Sequence, residues 1–233
     1  MMQGQAEAEE RARQSASVRP SWVRDGRGVR RVSEGEGQNG QGVSGMVEIR
    51  WHGRGGQGAK TASQLLALTQ LAVGASVQAF PEYGPERSGA PMQTFNRADR
   101  YPIRRHDGVR TPDYVVVLDD SLLAERGVTE GLDRTRLLIV NTRRAPAEVR
   151  GRLTYRGDVW CLDATGLAQR AGSKYANVVL LGALAAALGD LPVEVLENAC
   201  REEMQGRLGR EALAATLRAL AEGYAWAERR RVG

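Results

Sequence analysis

Val47-Glu48-Ile49-Arg50-Trp51, then Gly53-Arg54-Gly55-Gly56-Gln57-Gly58, then Ala59-Lys60-Thr61-Ala62 is the stretch whose reading decides the fold. Apolar and polar residues alternate over 47–51, the period of a half-buried strand. The glycine-rich turn that follows breaks this period, and a helix over 59–73 takes over. Ala62, Leu65, Leu66, Thr69, Ala72 and Val73 fall on one face of that helix, and Gly74 suits its C-terminal cap.

Working outward, residues 77–80 read as a short second strand. Residues 81–91 hold three prolines and two glycines, which excludes regular structure and gives a shaped loop. Two short extended segments, 92–96 and 101–105, are joined by a polar turn and are expected to form a hairpin. Tyr114-Val115-Val116-Val117-Leu118 and Leu137-Leu138-Ile139-Val140 are continuous apolar runs, the kind that a parallel sheet buries on both faces. A short helix is expected over 121–126 and a weaker strand over 159–162. The C-terminal third is helical: 175–188 is apolar on almost every face, so it must be buried in the core or under a partner, and two amphipathic helices follow over 193–204 and 210–230. The expected class is α/β, a three-layer α/β/α arrangement with a mostly parallel sheet that the hairpin makes mixed.

Residues 1–45 differ from the rest. They are rich in Gly, Gln, Ser, Arg and Glu and show no period of 2 or 3.6, so they are expected to form a disordered extension. Residues 46–233 are expected to make one domain. Met46 stands directly before the first strand, which fits a start codon assigned too early for the tail.

Composition excludes several classes of function. The chain has 233 residues, 42% of them hydrophobic, and a net charge of +5 carried almost wholly by arginine, since Lys60 and Lys174 are the only lysines. Apart from Arg229, Arg230 and Arg231 the arginines are scattered, aromatics are sparse, and no nucleic-acid recognition module appears. No apolar run reaches the ~18 residues of a membrane span, and the N-terminus lacks the apolar stretch of a secretory signal. A cytoplasmic location fits. Cys161 and Cys200 are too few to ligate an iron–sulfur cluster, and His52 and His106 match no zinc spacing. No Ser/His/Asp or Cys/His set is apparent, so no catalytic residue and no metal ligand is assigned. The neighbours Asp119 and Asp120 point in different directions and are not an acid/base pair.

Gly53, Gly55 and Gly58 match the G-x-G-x-x-G dinucleotide fingerprint in its required place between a strand and a helix. Such glycines let the backbone approach a phosphate, and the N–H groups opening the helix then face the anion. The acidic ribose ligand is missing from the end of the second strand, where Gln78-Ala79-Phe80 stands. A P-loop is excluded because Ala59 intrudes before Lys60, which turns the lysine by about 100° around the helix. Two readings remain open here: a glycine turn needed only for close helix–strand packing, or a site for a phosphate-bearing ligand or a partner's anion. In that second reading Gly53, Arg54, Gly55, Gly56, Gln57 and Gly58 are the candidate binding residues. Glu86 and Arg87 join them from the restrained loop, since loops on such scaffolds often carry function.

The glycine turn, followed by Phe80-Pro81-Glu82-Tyr83-Gly84-Pro85-Glu86-Arg87-Ser88-Gly89-Ala90-Pro91, resembles the gamma subunit of the 2-oxoacid:ferredoxin oxidoreductases, with Ser88 a departure where many relatives carry a second arginine. Pro112 through Asp119, Ile139-Val140-Asn141-Thr142, Asp163-Ala164-Thr165 and Asn177 through Gly182 are similar to the same family. The loop version is closest to the pyruvate type. The resemblance implies a non-catalytic gamma subunit, inactive alone and without a cofactor of its own. Sister alpha and beta subunits, often with a delta chain, would hold thiamine diphosphate and the iron–sulfur clusters and pass electrons to ferredoxin. Coenzyme A would take the acyl group, and the candidate loops would stand near its entry. The alternative reading is an independent Rossmann-like dinucleotide-binding protein.

Overall fold

The computed structural model describes residues 45–82, 89–125, 128–132, 136–153 and 155–231. The expectation for the N-terminal extension therefore lies outside the described residues, Gly45 apart, and so do Glu86 and Arg87. Among the described residues the chain runs β1 (Val47–Arg54), α1 (Ala59–Ala72), β2 (Ser76–Glu82), β3 (Pro91–Asp99), β4 (Tyr114–Val117), a 3-10 turn (Asp120–Ala124), β5 (Leu137–Asn141), α2 (Pro146–Gly151), β6 (Asp158–Leu162), α3 (Ala164–Arg170), α4 (Ala176–Leu188), α5 (Val193–Met204) and α6 (Arg210–Arg231).

The strands form one mixed sheet in the order β2-β3-β1-β4-β5-β6. β1, β4, β5 and β6 run parallel, whereas β3 is antiparallel to both β1 and β2. The fold is thus α/β, as the alternation of elements implies. The hairpin is placed differently from expectation. β2 and β3 form it, with Phe80 opposite Phe95, and residues 101–105 are not a strand. β3 runs for nine residues and finds partners on both edges, while Arg105 folds back onto Glu48 and Asp107. Its carbonyl accepts from Gln78 Nε2, so this segment lies over the sheet rather than in it.

Strand period decides what each face meets. Ile49, Trp51, Val116, Leu118, Ile139 and Leu162 point to one face, where α1, α3, α4, α5 and α6 cover them. Val115, Val117, Leu138, Val140 and Val159 point to the other, under the 3-10 turn and α2. That second layer is thin, and over β1 and β3 it turns polar. Arg97 is fully buried, with its Nε donating to Glu48 at 2.7 Å and its guanidinium 5.4 Å from the Phe80 ring centroid.

α4 is buried on nearly every face, as its composition requires. It crosses α6 so closely that a Cβ on Gly182 would overlap the Leu220 carbonyl oxygen, and one on Gly223 that of Val179. Alanines and glycines on both helices let the backbones touch. A buried polar chain ties α1 to the sheet: Trp51 Nε1 donates to Asn96 at 2.8 Å, and Asn96 donates to the Ser63 carbonyl at 2.8 Å.

Candidate functional site

The carboxyl ends of β1, β4, β5 and β6 all open onto one edge of the sheet. From β1 the chain leaves through α1 toward β2 on one side, and β4 lies on the other, so the edge between β1 and β4 is the topological switch point where ligands of α/β sheets gather. The glycine turn stands there.

Its geometry explains its sequence. Gly56 and Gly58 have φ of 92° and 81°, a left-handed region that disfavours side chains. Gly53 is packed against Ala59 and Gln57, so three of the glycines are set by backbone shape or close packing. Among the described residues nothing lies within 4 Å of where a Cβ on Gly56 would stand. Gln57 turns back on the loop. Its Oε1 accepts from the Arg54 N–H at 2.8 Å, and its Nε2 donates to Asp119 at 2.9 Å. The N–H groups of Ala59, Lys60 and Thr61, which open α1, find no acceptor among the described residues.

Arg54 is anchored inside the chain. It reaches Asp119 at 3.2 Å, the Ser121 hydroxyl at 2.8 Å and the Gly89 carbonyl at 3.2 Å. Gly55 and residues 89–90 exchange backbone hydrogen bonds, so the glycine turn and the end of the Pro-rich loop form one surface. Burial works to raise the Asp119 carboxyl, but hydrogen bonds from Ser121 and Gln57 and the Arg54 charge outweigh it and hold it below the usual value. The ion pair leaves Arg54 partly exposed, its side chain 31% accessible.

The polar edge continues beyond the residues singled out from the sequence. Asn141 Nδ2 donates to the Leu118 carbonyl and to Thr165, Thr142 donates to Asp120 at 2.8 Å, and Asn177 donates to the Gly58 carbonyl at 3.1 Å. Sequence reasoning assigned no role to Asp119, Ser121, Asn141, Thr165 or Asn177. A signal existed for most of them, since a polar residue directly after a buried apolar strand sits at this edge by topology. Asp119 and Asp120 do point apart, one to Arg54 and the other to Arg144.

The dinucleotide reading lacks geometry as well as sequence. β3 is inserted between β1 and β2, so the end of β2 lies about 10 Å from the glycine turn, two strand spacings away. Among the described residues no group of three His, Cys, Asp or Glu side chains could hold a metal. Cys200 is buried in one hydrophobic cluster with its thiol pushed up to about 11, and Cys161 on β6 packs against the other; two cysteines so placed do not fit an iron–sulfur cluster. No helix among the described residues is long and apolar enough to cross a membrane.

Residues 48–226 match the family described as pyruvate ferredoxin/flavodoxin oxidoreductase. The pyruvate synthase subunit PorC of Thermotoga maritima is 44% identical over 178 residues, which cover 76% of this chain and 92% of that protein. The pyruvate/ketoisovalerate oxidoreductases common subunit gamma of Thermococcus kodakarensis is 45% identical, over 70% of this chain and 90% of its own. The crystal structure of the Thermotoga maritima subunit superposes with a TM-score of 0.68, covering 77% of this chain and 96% of that one. A 2-oxoglutarate:ferredoxin oxidoreductase from Magnetococcus marinus shares the fold alone, with a TM-score of 0.64 at 19% identity over 79% of this chain and 31% of that one. A fold shared over nearly the full length of a relative this similar, with the glycine turn at its switch point, leaves one assignment: the chain belongs to the pyruvate ferredoxin/flavodoxin oxidoreductase family.

Proposed function

We propose that this chain acts as the gamma subunit of a multisubunit, pyruvate-type 2-oxoacid:ferredoxin oxidoreductase and completes the mouth of an active site housed in sister subunits. The observation that carries this reading is the 44% identity to a pyruvate synthase subunit across 92% of that subunit's length. Thiamine diphosphate, the iron–sulfur clusters and the contact with ferredoxin are assigned to alpha, beta and delta partners, in the cytoplasm. The complex decarboxylates a 2-oxoacid oxidatively, and coenzyme A receives the acyl group.

Within that role, Gly53, Arg54, Gly55, Gly56, Gln57 and Gly58, with Glu86 and Arg87 of the adjoining loop, form the entry for coenzyme A. Three features support this. Among the described residues the N–H groups that open α1 have no acceptor and nothing stands before Gly56, and Arg54 keeps part of its guanidinium exposed. Asp119 offsets much of the Arg54 charge, so its contribution is below that of a full charge-assisted hydrogen bond. The test is a coenzyme A titration of the assembled enzyme carrying Arg54→Ala. An apparent affinity about tenfold weaker, ~1.4 kcal/mol, is expected. Unchanged affinity and turnover would remove Arg54 from the site, and normal assembly and kinetics of Gly56→Val would make the loop a packing turn only.

A further inference from the structure

The two edges of the sheet are built differently. β2, at one end, carries Pro81 and Glu82, residue types that blunt an edge against further pairing. β6, at the other end, reads Asp158-Val159-Trp160-Cys161-Leu162, and among the described residues no strand pairs with its outer side. An apolar edge of this kind is a template for an added strand.

Its surroundings have the composition of a protein interface. Trp160 and Trp226 are both only partly buried and meet edge to face, with ring centroids 6.0 Å apart. The Arg230 guanidinium lies 4.1 Å over the Trp226 ring. Partly exposed Trp and Arg are the types that anchor protein interfaces. Arg150 and Arg230, together with Glu148, act electrostatically on the Cys161 thiol, so both arginines lie close to the strand. A groove of about 590 Å³ between α2 and the start of β6 is walled in part by Arg150 and Arg156.

The charge is unbalanced. Arg150, Arg152, Arg156, Arg229 and Arg230 are exposed, and none of them forms an ion pair among the described residues. Glu148 and Asp158 stand among them, so the face is net positive rather than wholly basic. Arginines left unpaired beside an open strand complement a negatively charged partner.

We infer that the outer edge of β6, with Trp160, Trp226, Arg150 and Arg230, docks an acidic extended segment of a sister subunit, which adds to the sheet as a seventh strand. This rests on the subunit reading given above. Main-chain pairing along Asp158–Leu162 would supply affinity, the tryptophan pair would pack against the incoming side chains, and the arginines would fix orientation and speed encounter.

The experiment uses the full chain co-expressed with its sister subunits, free and assembled, and reads hydrogen exchange over 158–162. Assembly is expected to slow exchange of the outward amides of β6 at least about tenfold. The double variant Arg150→Glu/Arg230→Glu is expected to weaken association about tenfold or more, and the wild-type complex to loosen with salt. A complex that forms with β6 exchange unchanged overturns this surface and leaves the subunit reading standing. If no complex forms, both fall. Protection of β6 in the free chain at a dimeric mass would assign the edge to a second copy, and binding of a thymidine oligonucleotide lost in the double variant would assign it to nucleic acid; either overturns the proposal.

Discussion

The side chain of Asn177 stands where a Cβ on Gly58 would lie, its Nδ2 2.7 Å and its Cγ 2.9 Å from that position, while donating to the Gly58 carbonyl at 3.1 Å. The start of α4 is thus seated on the start of α1. Gly58→Ala should destabilise the chain by about 2–3 kcal/mol, from the left-handed backbone and the overlap together. Asn177→Ala should cost about 1 kcal/mol, because the Gly58 carbonyl still accepts from Ala62. The double variant should cost less than the sum, since removing the amide makes room for the methyl. Denaturant melts of the four proteins decide it.

Asp119 is the hub of the candidate site. It accepts from Gln57, Arg54 and both the N–H and the hydroxyl of Ser121. Asp119→Ala should therefore loosen the glycine turn rather than the core. Amides of residues 54–58 should exchange about tenfold faster, or more, while those of β5 stay unchanged. Equal exchange throughout the turn would mean that backbone bonds alone hold it.

Two desolvated titrating groups, His52 buried and Asp190 half-buried, give stability opposite slopes with pH. His52 is held neutral by burial and by the neighbouring Arg50 charge, its pKa lowered to about 3 from 6.5. Between those values the unfolded chain takes a proton that the fold refuses, so stability should fall as pH drops, at up to about 1.4 kcal/mol per pH unit. His52→Gln keeps an acceptor for Arg50 Nε, which now donates to His52 Nε2 at 3.1 Å, and should flatten that acid limb. Asp190 is raised by burial from 3.8 to about 7. The folded chain keeps that proton after the unfolded one has lost it, so the stability it contributes disappears as pH rises through about 7. Asp190→Asn should stabilise by about 1–2 kcal/mol above that pH, after allowance for partial exposure, and by little below 3.8. Thermal melts across pH for both variants test the signs.

Gly182 and Gly223 hold α4 and α6 in backbone contact. Gly182→Ala or Gly223→Ala must push the helices apart, and each should lower stability by about 3 kcal/mol or more despite the better helix propensity of alanine. A rise in melting temperature for either would show that the crossing can relax freely.

Much of this architecture was legible in residues 47–62 and in the two apolar runs. The alternation at 47–51, the glycine break and the 3.6 period after it specify strand, turn and helix locally, and the short runs of Val and Leu read as strands buried on both faces. The all-apolar segment of α4 had to be buried in the core or under a partner, and the structure puts it in the core. Local chemistry also fixed Gly74 as the helix cap, with its φ of 88°. Pairing is a different matter, because strand order depends on contacts far apart in sequence. Nothing local says that β3 leaves residues 101–105 behind and inserts between β1 and β2, since that choice rests on two long ladders and on Arg97 meeting Glu48. The site divides in the same way. The glycine turn and Arg54 are visible in the sequence, but the ion pair with Asp119, 65 residues away, exists only because parallel pairing of β1 and β4 brings both strand ends to one edge. The sequence by itself determined which groups are candidates to meet an anion, and the tertiary structure decided how much of the Arg54 charge is already offset, because that depends on distance across the sheet.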